Sequence, residues 1–158
     1  MQKVTKIVSG GQTGADSGAL NAAIKLGIKC GGFCPKGRRR ESGVVPEKYG
    51  LVETPSSGYA ERTRLNVITS AATLALTIGK ITPGTNHTIN YAIENDKPVL
   101  HLDLSNPIEL NAETLRKWLA RMSDEVVLNV AGSRESKAPG ICKATELLLI
   151  KALGTPNE

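Results

Sequence analysis

Aromatic side chains are nearly missing from this chain: one Trp, one Phe and three Tyr make up 3% of it. Its core must therefore be filled by Val, Ile, Leu and Ala, as buried parallel strands and their flanking helices usually are. The same shortage removes the stacking platforms that single-stranded nucleic acid requires, so no nucleic-acid partner is expected. Histidine is equally sparse. His87 and His101 are the only two, and neither stands beside a serine-centred elbow or a cysteine motif. The three cysteines are odd in number, and the C-x3-C spacing of Cys30 and Cys34 lacks the second pair or the histidines of a zinc site. Reduced thiols in the cytoplasm, and no metal site, are the expectation. Paired carboxylates of the kind used in acid/base hydrolysis are also absent. No apolar run reaches the length of a membrane span, and Met1 to Ser9 passes straight into a strand pattern rather than a signal peptide. No membrane partner is expected.

What remains is an ordinary globular composition, 40% hydrophobic and 22% charged over 158 residues, which suits a single domain spanning 1–158. The formal net charge of +5 favours anionic ligands without singling out DNA or RNA.

Apolar runs of strand length alternate with segments of helical period, the pattern of βα units around a mostly parallel sheet. Strands are expected at Val4 to Ser9, Ile28 to Phe33, Thr73 to Ile78, Pro98 to Leu102 and Val126 to Val130. Helices are expected at Ser17 to Leu26, with Asp16 as N-cap, and at Ala60 to Ala71, Thr85 to Glu94, Pro107 to Met122 and Gly140 to Leu153. Cys34 to Gly58, rich in Gly and Pro with a hint of strand at Gly50 to Glu53, reads as an irregular and functional loop of about twenty-five residues.

In open α/β sheets ligands settle at the carboxyl ends of strands, where loops lead into helix N-termini with free N–H groups. Turns following the first, third and fifth strands fit that rule. The first, Gly10, Gly11, Gln12, Thr13, Gly14, Ala15 and Asp16, combines glycines with amide and hydroxyl donors. It reads as a phosphate cradle or as a structural tight turn, and Asp16 reads as a helix cap or as a ligand contact. The turn is neither a G-x-G-x-x-G fingerprint nor a Walker A loop. Gly84 and Thr85 form a second cradle at a helix start, and Arg134 and Ser136 follow the fifth strand. Lys36, Gly37, Arg38, Arg39 and Arg40 place four cations in five residues, either a clamp over a polyanion or a solvated surface; Lys36 and Arg38, flanking Gly37, are the better clamp candidates. Arg62 and Arg64 lie near a helix start, where a cation opposes the dipole and calls for an anionic partner from the protein or from a ligand.

Five ordered segments, S-G-G-Q-T-G-A-D (Ser9 to Asp16), C-P-K-G-R (Cys34 to Arg38), Y-x-x-R-T-x-x-N-V (Tyr59 to Val67), G-T-x-x-T (Gly84 to Thr88) and L-N-V-A-G-x-R-E-S (Leu128 to Ser136), resemble the circularly permuted YpsA group of the SLOG superfamily. The resemblance covers nearly the whole chain. It implies a Rossmann-like three-layer αβα sandwich, self-association as a dimer or tetramer, and a nucleotide or pterin-phosphate ligand, the molybdenum cofactor (molybdopterin) among them, over the glycine turns. It makes a carrier or sensor of a small phosphorylated ligand the leading expectation. The alternative it implies is a nucleotide-processing hydrolase of phosphoribohydrolase type, in which Arg62 with Asp16 or Glu61 assists cleavage of an N-glycosidic bond. Two departures bear on that alternative. Thr88 stands where the related phosphoribohydrolases carry a catalytic glutamate after G-G-x-G-T, and a threonine is no carboxylate base near neutral pH. Ser70-Ala71-Ala72 replaces the Ser-Asp-Gly of many relatives, removing an acidic group at the strand entrance.

Overall fold

The computed structural model describes residues 3–123 and 125–154. Five parallel strands form one sheet in the order β2-β1-β9-β7-β8: β1 Val4–Val8, β2 Lys29–Gly31, β7 Ala72–Thr77, β8 Val99–Asp103 and β9 Val126–Gly132. Between and after them lie α1 Ala15–Leu26, α2 Tyr59–Ile68, α3 Pro83–Glu94, α4 Ile108–Leu119 and α5 Ile141–Leu153. The α/β class, the parallel sheet and the five expected helices are all present.

The two faces of the sheet differ in chemistry, and that difference places the site. Side chains alternate along a strand. In β7, Leu74 and Leu76 enter the main core, joined by Leu128 and Val130 of β9, Ala19 of α1, Leu115 of α4 and Leu148 and Leu149 of α5. The flanking Thr73 and Thr77 are fully buried on the other face, and in the adjacent register Asn129 donates from Nδ2 to Thr73 Oγ1 at 3.2 Å. His101 of β8 meets Thr77 Oγ1 at 2.7 Å on the same polar side. Helices α2 and α3 pack together over this polar side.

The stretch expected to be irregular is ordered. Cys34, Val45, Tyr49 and Leu51 bury themselves with Leu20 of α1 in a small second core. Around it run β3 Phe33–Cys34 paired parallel with β6 Val52–Glu53, a hairpin of β4 Arg39–Arg40 and β5 Gly43–Val44, and a 3-10 turn Glu47–Tyr49. Asp16 is not the cap of α1. Gly14 holds the N-cap position and Asp16 lies inside the first turn, its carboxylate accepting from Gln12 N–H at 3.1 Å.

The approach to α3 is pinned by Asp103 at the end of β8. Its carboxylate accepts from Gly79 N–H at 2.9 Å and from Ser105 N–H and hydroxyl at 2.9 and 2.6 Å. Those bonds, Gly79 first, hold its pKa down at about 2. A depressed carboxylate stabilises the fold above its ordinary range and loses that contribution as pH falls through it toward about 2. Asp103→Asn is expected to lower the melting temperature by a few degrees at neutral pH. In a pH series of melting curves, the gap from the unaltered protein should close on acidification from about pH 4 downward.

Candidate functional site

A cavity of about 430 Å³ opens on the polar side of the sheet, at the carboxyl ends of β1, β7 and β9. The three expected turns converge there. Gly10 comes from the first, Gly84 and Thr85 from the second, and Gly132 and Arg134 from the third.

Arg62 is the centre of its wall. The side chain rises from the second turn of α2 and is 9% exposed. Its guanidinium donates to Gly10 O at 2.9 Å, stands 3.8 Å from Asp16 Oδ2 and lies over the Tyr59 ring at 5.0 Å. A Cβ at position 10 would overlap that guanidinium, so glycine is required there for the two to meet. Arg62 Nε is buried and has no partner in the protein. Burial pushes the Asp16 carboxyl above its ordinary value, against the opposing pull of Arg62 and of the Gln12 N–H. The buried Arg62 thus has an acid of the protein as partner, while its Nε has none.

Across the cavity stands the start of α3. Its first intrahelical bond runs from Asn86 N–H to Thr82 O at 2.9 Å, so the N–H groups of Gly84 and Thr85 precede the ladder. Thr82 caps by position only, its hydroxyl donating to Thr85 Oγ1 at 3.0 Å. Nothing lies within 4 Å of where a Cβ on Gly84 would sit. Arg134 and Lys137 add two cations from the turn after β9, against the single carboxylate of Asp16. The lining therefore offers free amides and net positive charge, which suit an oxyanion.

The first glycine turn contributes less than its sequence suggests. Gln12 N–H goes to Asp16, Thr13 N–H to Gln12 Oε1 at 3.0 Å and Ala15 N–H to Ser133 O at 3.1 Å. Gly10, Gln12 and Asp16 line the cavity, whereas Thr13, Gly14 and Ser136 line a second, more open one of about 620 Å³. Gly11 faces Val45 and Leu51 of the small core. Lys36, Gly37 and Arg38 are brought to neither cavity. Lys36 points to solvent, Gly37 N–H donates to Glu53, and the Arg38 guanidinium turns inward onto Val45 O and Leu51 O. Glu61 accepts from Ser56 N–H, away from the cavity.

Sequence reasoning passed over Tyr59, Asn129 and Lys137, and gave His87 no role, although all four line the cavity. Asn129 left a signal, a lone polar residue in the apolar run of β9. Burial raises the thiols of Cys30, Cys34 and Cys142, which leaves none of them activated. Among the described residues no group of three or more His, Cys, Asp and Glu is placed to hold a metal, and no helix is long and apolar enough to cross a membrane.

A parallel α/β sheet with its cavity at the strand ends is the architecture of a Rossmann-like domain. The chain belongs to the circularly permutated YpsA SLOG family, whose model matches residues 7–153. It is similar over 98% of its length, and 97% of the other chain, to a crystal structure from Syntrophus aciditrophicus SB named "Putative molybdenum carrier protein", with 43% identity and a TM-score of 0.91. No curated protein matches the chain.

Proposed function

We propose that this protein binds and carries a small phosphate-bearing ligand, a nucleotide derivative or the molybdenum cofactor, in the cavity between α2 and α3. One observation carries the reading: the open amides of Gly84 and Thr85 share a cavity of net positive charge with Arg62, Arg134 and Lys137. The name of the similar structure points to the same class of cargo. The donors suit the phosphate end of either ligand, while Tyr59, Tyr91 and Asn129 leave apolar and carboxamide surface for the rest of it.

Calorimetry with nucleoside phosphates and a molybdopterin-type ligand is expected to show a dissociation constant below about a millimolar for at least one of them. Absence of binding across the set overturns the reading. Gly84→Val fills the space at the start of α3 without a clash, so it is expected to weaken binding by about tenfold or more while the melting temperature stays within a few degrees.

A hydrolase reading has one observation in its favour, the raised Asp16 carboxyl beside Arg62 in the cavity wall. It predicts release of free base from a nucleoside monophosphate. Recovery of intact nucleotide after prolonged incubation leaves the carrier reading alone.

A further inference from the structure

Glu41 occupies the tip of the β4-β5 hairpin, and its carboxylate is held by groups that do not belong to the hairpin. Ser136 donates from its N–H at 3.1 Å and from its hydroxyl at 2.6 Å, and Arg134 Nη1 stands at 4.0 Å. The Thr13 hydroxyl donates to the same carboxylate while accepting from Glu135 N–H at 3.2 Å. These donors come from the turns after β1 and β9. Burial alone would raise the Glu41 carboxyl, but the Ser136 and Thr13 hydroxyls, the Ser136 amide and Arg134 outweigh it and hold it below the ordinary value. Two hydroxyls, an amide and a guanidinium converging on two oxygens would hold a phosphate equally well.

The hairpin's own ladder is short, and its anchor in the second core is Val45, at its base. Each of its strands is two residues long, and Val44 is 65% exposed. A two-stranded ribbon of that length is not stable on its own. Besides the Glu41 carboxylate, it is fastened by Glu41 N–H to Gln12 Oε1 at 2.9 Å, by Arg40 to Ser17 Oγ at 2.7 Å and by Arg39 to Ser57 O at 2.9 Å.

We propose that Thr13, Arg134 and Ser136 form a second oxyanion site, for a phosphate group, and that Glu41 is its internal occupant, latching the hairpin until an anion displaces it. The exchange keeps an anion on the donors, since one leaves them as another arrives. It also opens the second cavity, where Arg40 and Ser17 lie beside Thr13 and Ser136.

Trypsin cleavage after Arg39 and Arg40 in the full chain reports the state of the hairpin, with inorganic phosphate as probe and sodium chloride at matched ionic strength as control. Phosphate is expected to speed cleavage several-fold where chloride does not. Glu41→Ala should be cut about tenfold faster without phosphate, gain nothing more from it, and bind phosphate about tenfold more tightly by calorimetry. Adding Ser136→Ala to Glu41→Ala should remove that gain. Cleavage indifferent to phosphate in the unaltered protein overturns the proposal, whether or not the variant folds. So does unchanged phosphate affinity in a folded Glu41→Ala. The hairpin response should survive Gly84→Val, which disables only the cavity between α2 and α3. Failure of the carrier reading and failure of the latch are thereby distinguishable.

Discussion

Gly14→Ala is expected to cost about 3 kcal/mol or more of stability, because it combines a disfavoured backbone conformation with a collision between two chains of backbone. Gly14 has φ 82°, and an added Cβ would overlap the Ser133 carbonyl and the backbone of Arg134 and Glu135. That approach sets the first glycine turn against the turn after β9, where Ala15 N–H donates to Ser133 O. Gly37 provides the control. It too has a positive φ, 89°, but nothing lies within 4 Å of its would-be Cβ, so Gly37→Ala should lose only about 1 kcal/mol. Urea unfolding of both variants measures the difference, and equal losses would mean that the two turns do not meet as described.

Arg62→Ala is expected to destabilise the protein by about 3–5 kcal/mol at neutral pH and to abolish ligand binding, since it leaves Asp16 buried without its countercharge. The two effects separate with pH and with a second substitution. Asp16 already titrates above its ordinary value, and removing the guanidinium raises it further. A group raised in the folded state costs stability above its unfolded value, so the penalty of Arg62→Ala should shrink as pH falls toward the ordinary carboxylate range and Asp16 takes up its proton. Asp16→Asn in the Arg62→Ala background should restore part of the stability and none of the binding. A double-mutant cycle with no coupling between positions 16 and 62 would show that the pair carries neither role.

Much of this molecule is legible in the order of its residues, for a local reason. Strands such as Ala72–Thr77 and helices such as Ile141–Leu153 carry their own apolar period, and the glycine turns mark where strand passes to helix. The convergence of three turns on one cavity follows from parallel topology. What stayed hidden depends on contacts between distant positions. Val45, Tyr49 and Leu51 have no shared period, and only their joint packing on Leu20 orders the stretch from 34 to 58. The basic run displays its charge in sequence but not its direction, and Arg38 spends its guanidinium on two carbonyls. Glu41 gave no sign at all, because its partner Ser136 lies 95 positions away. Asp16 fitted a capping pattern, yet with Gly14 free to take the cap it became instead the buried acid of Arg62.

The strand order has a bearing on how the molecule is made. β1, synthesised long before β9, takes β9 as neighbour, and the Ser9 hydroxyl donates to Val130 O across 121 positions. Until that later segment arrives, β1 and β7 have nothing between them, so the sheet closes only after β9 has been synthesised. The cavity between α2 and α3 is completed by the same event, because Asn129, Gly132, Arg134 and Lys137 all arrive with it.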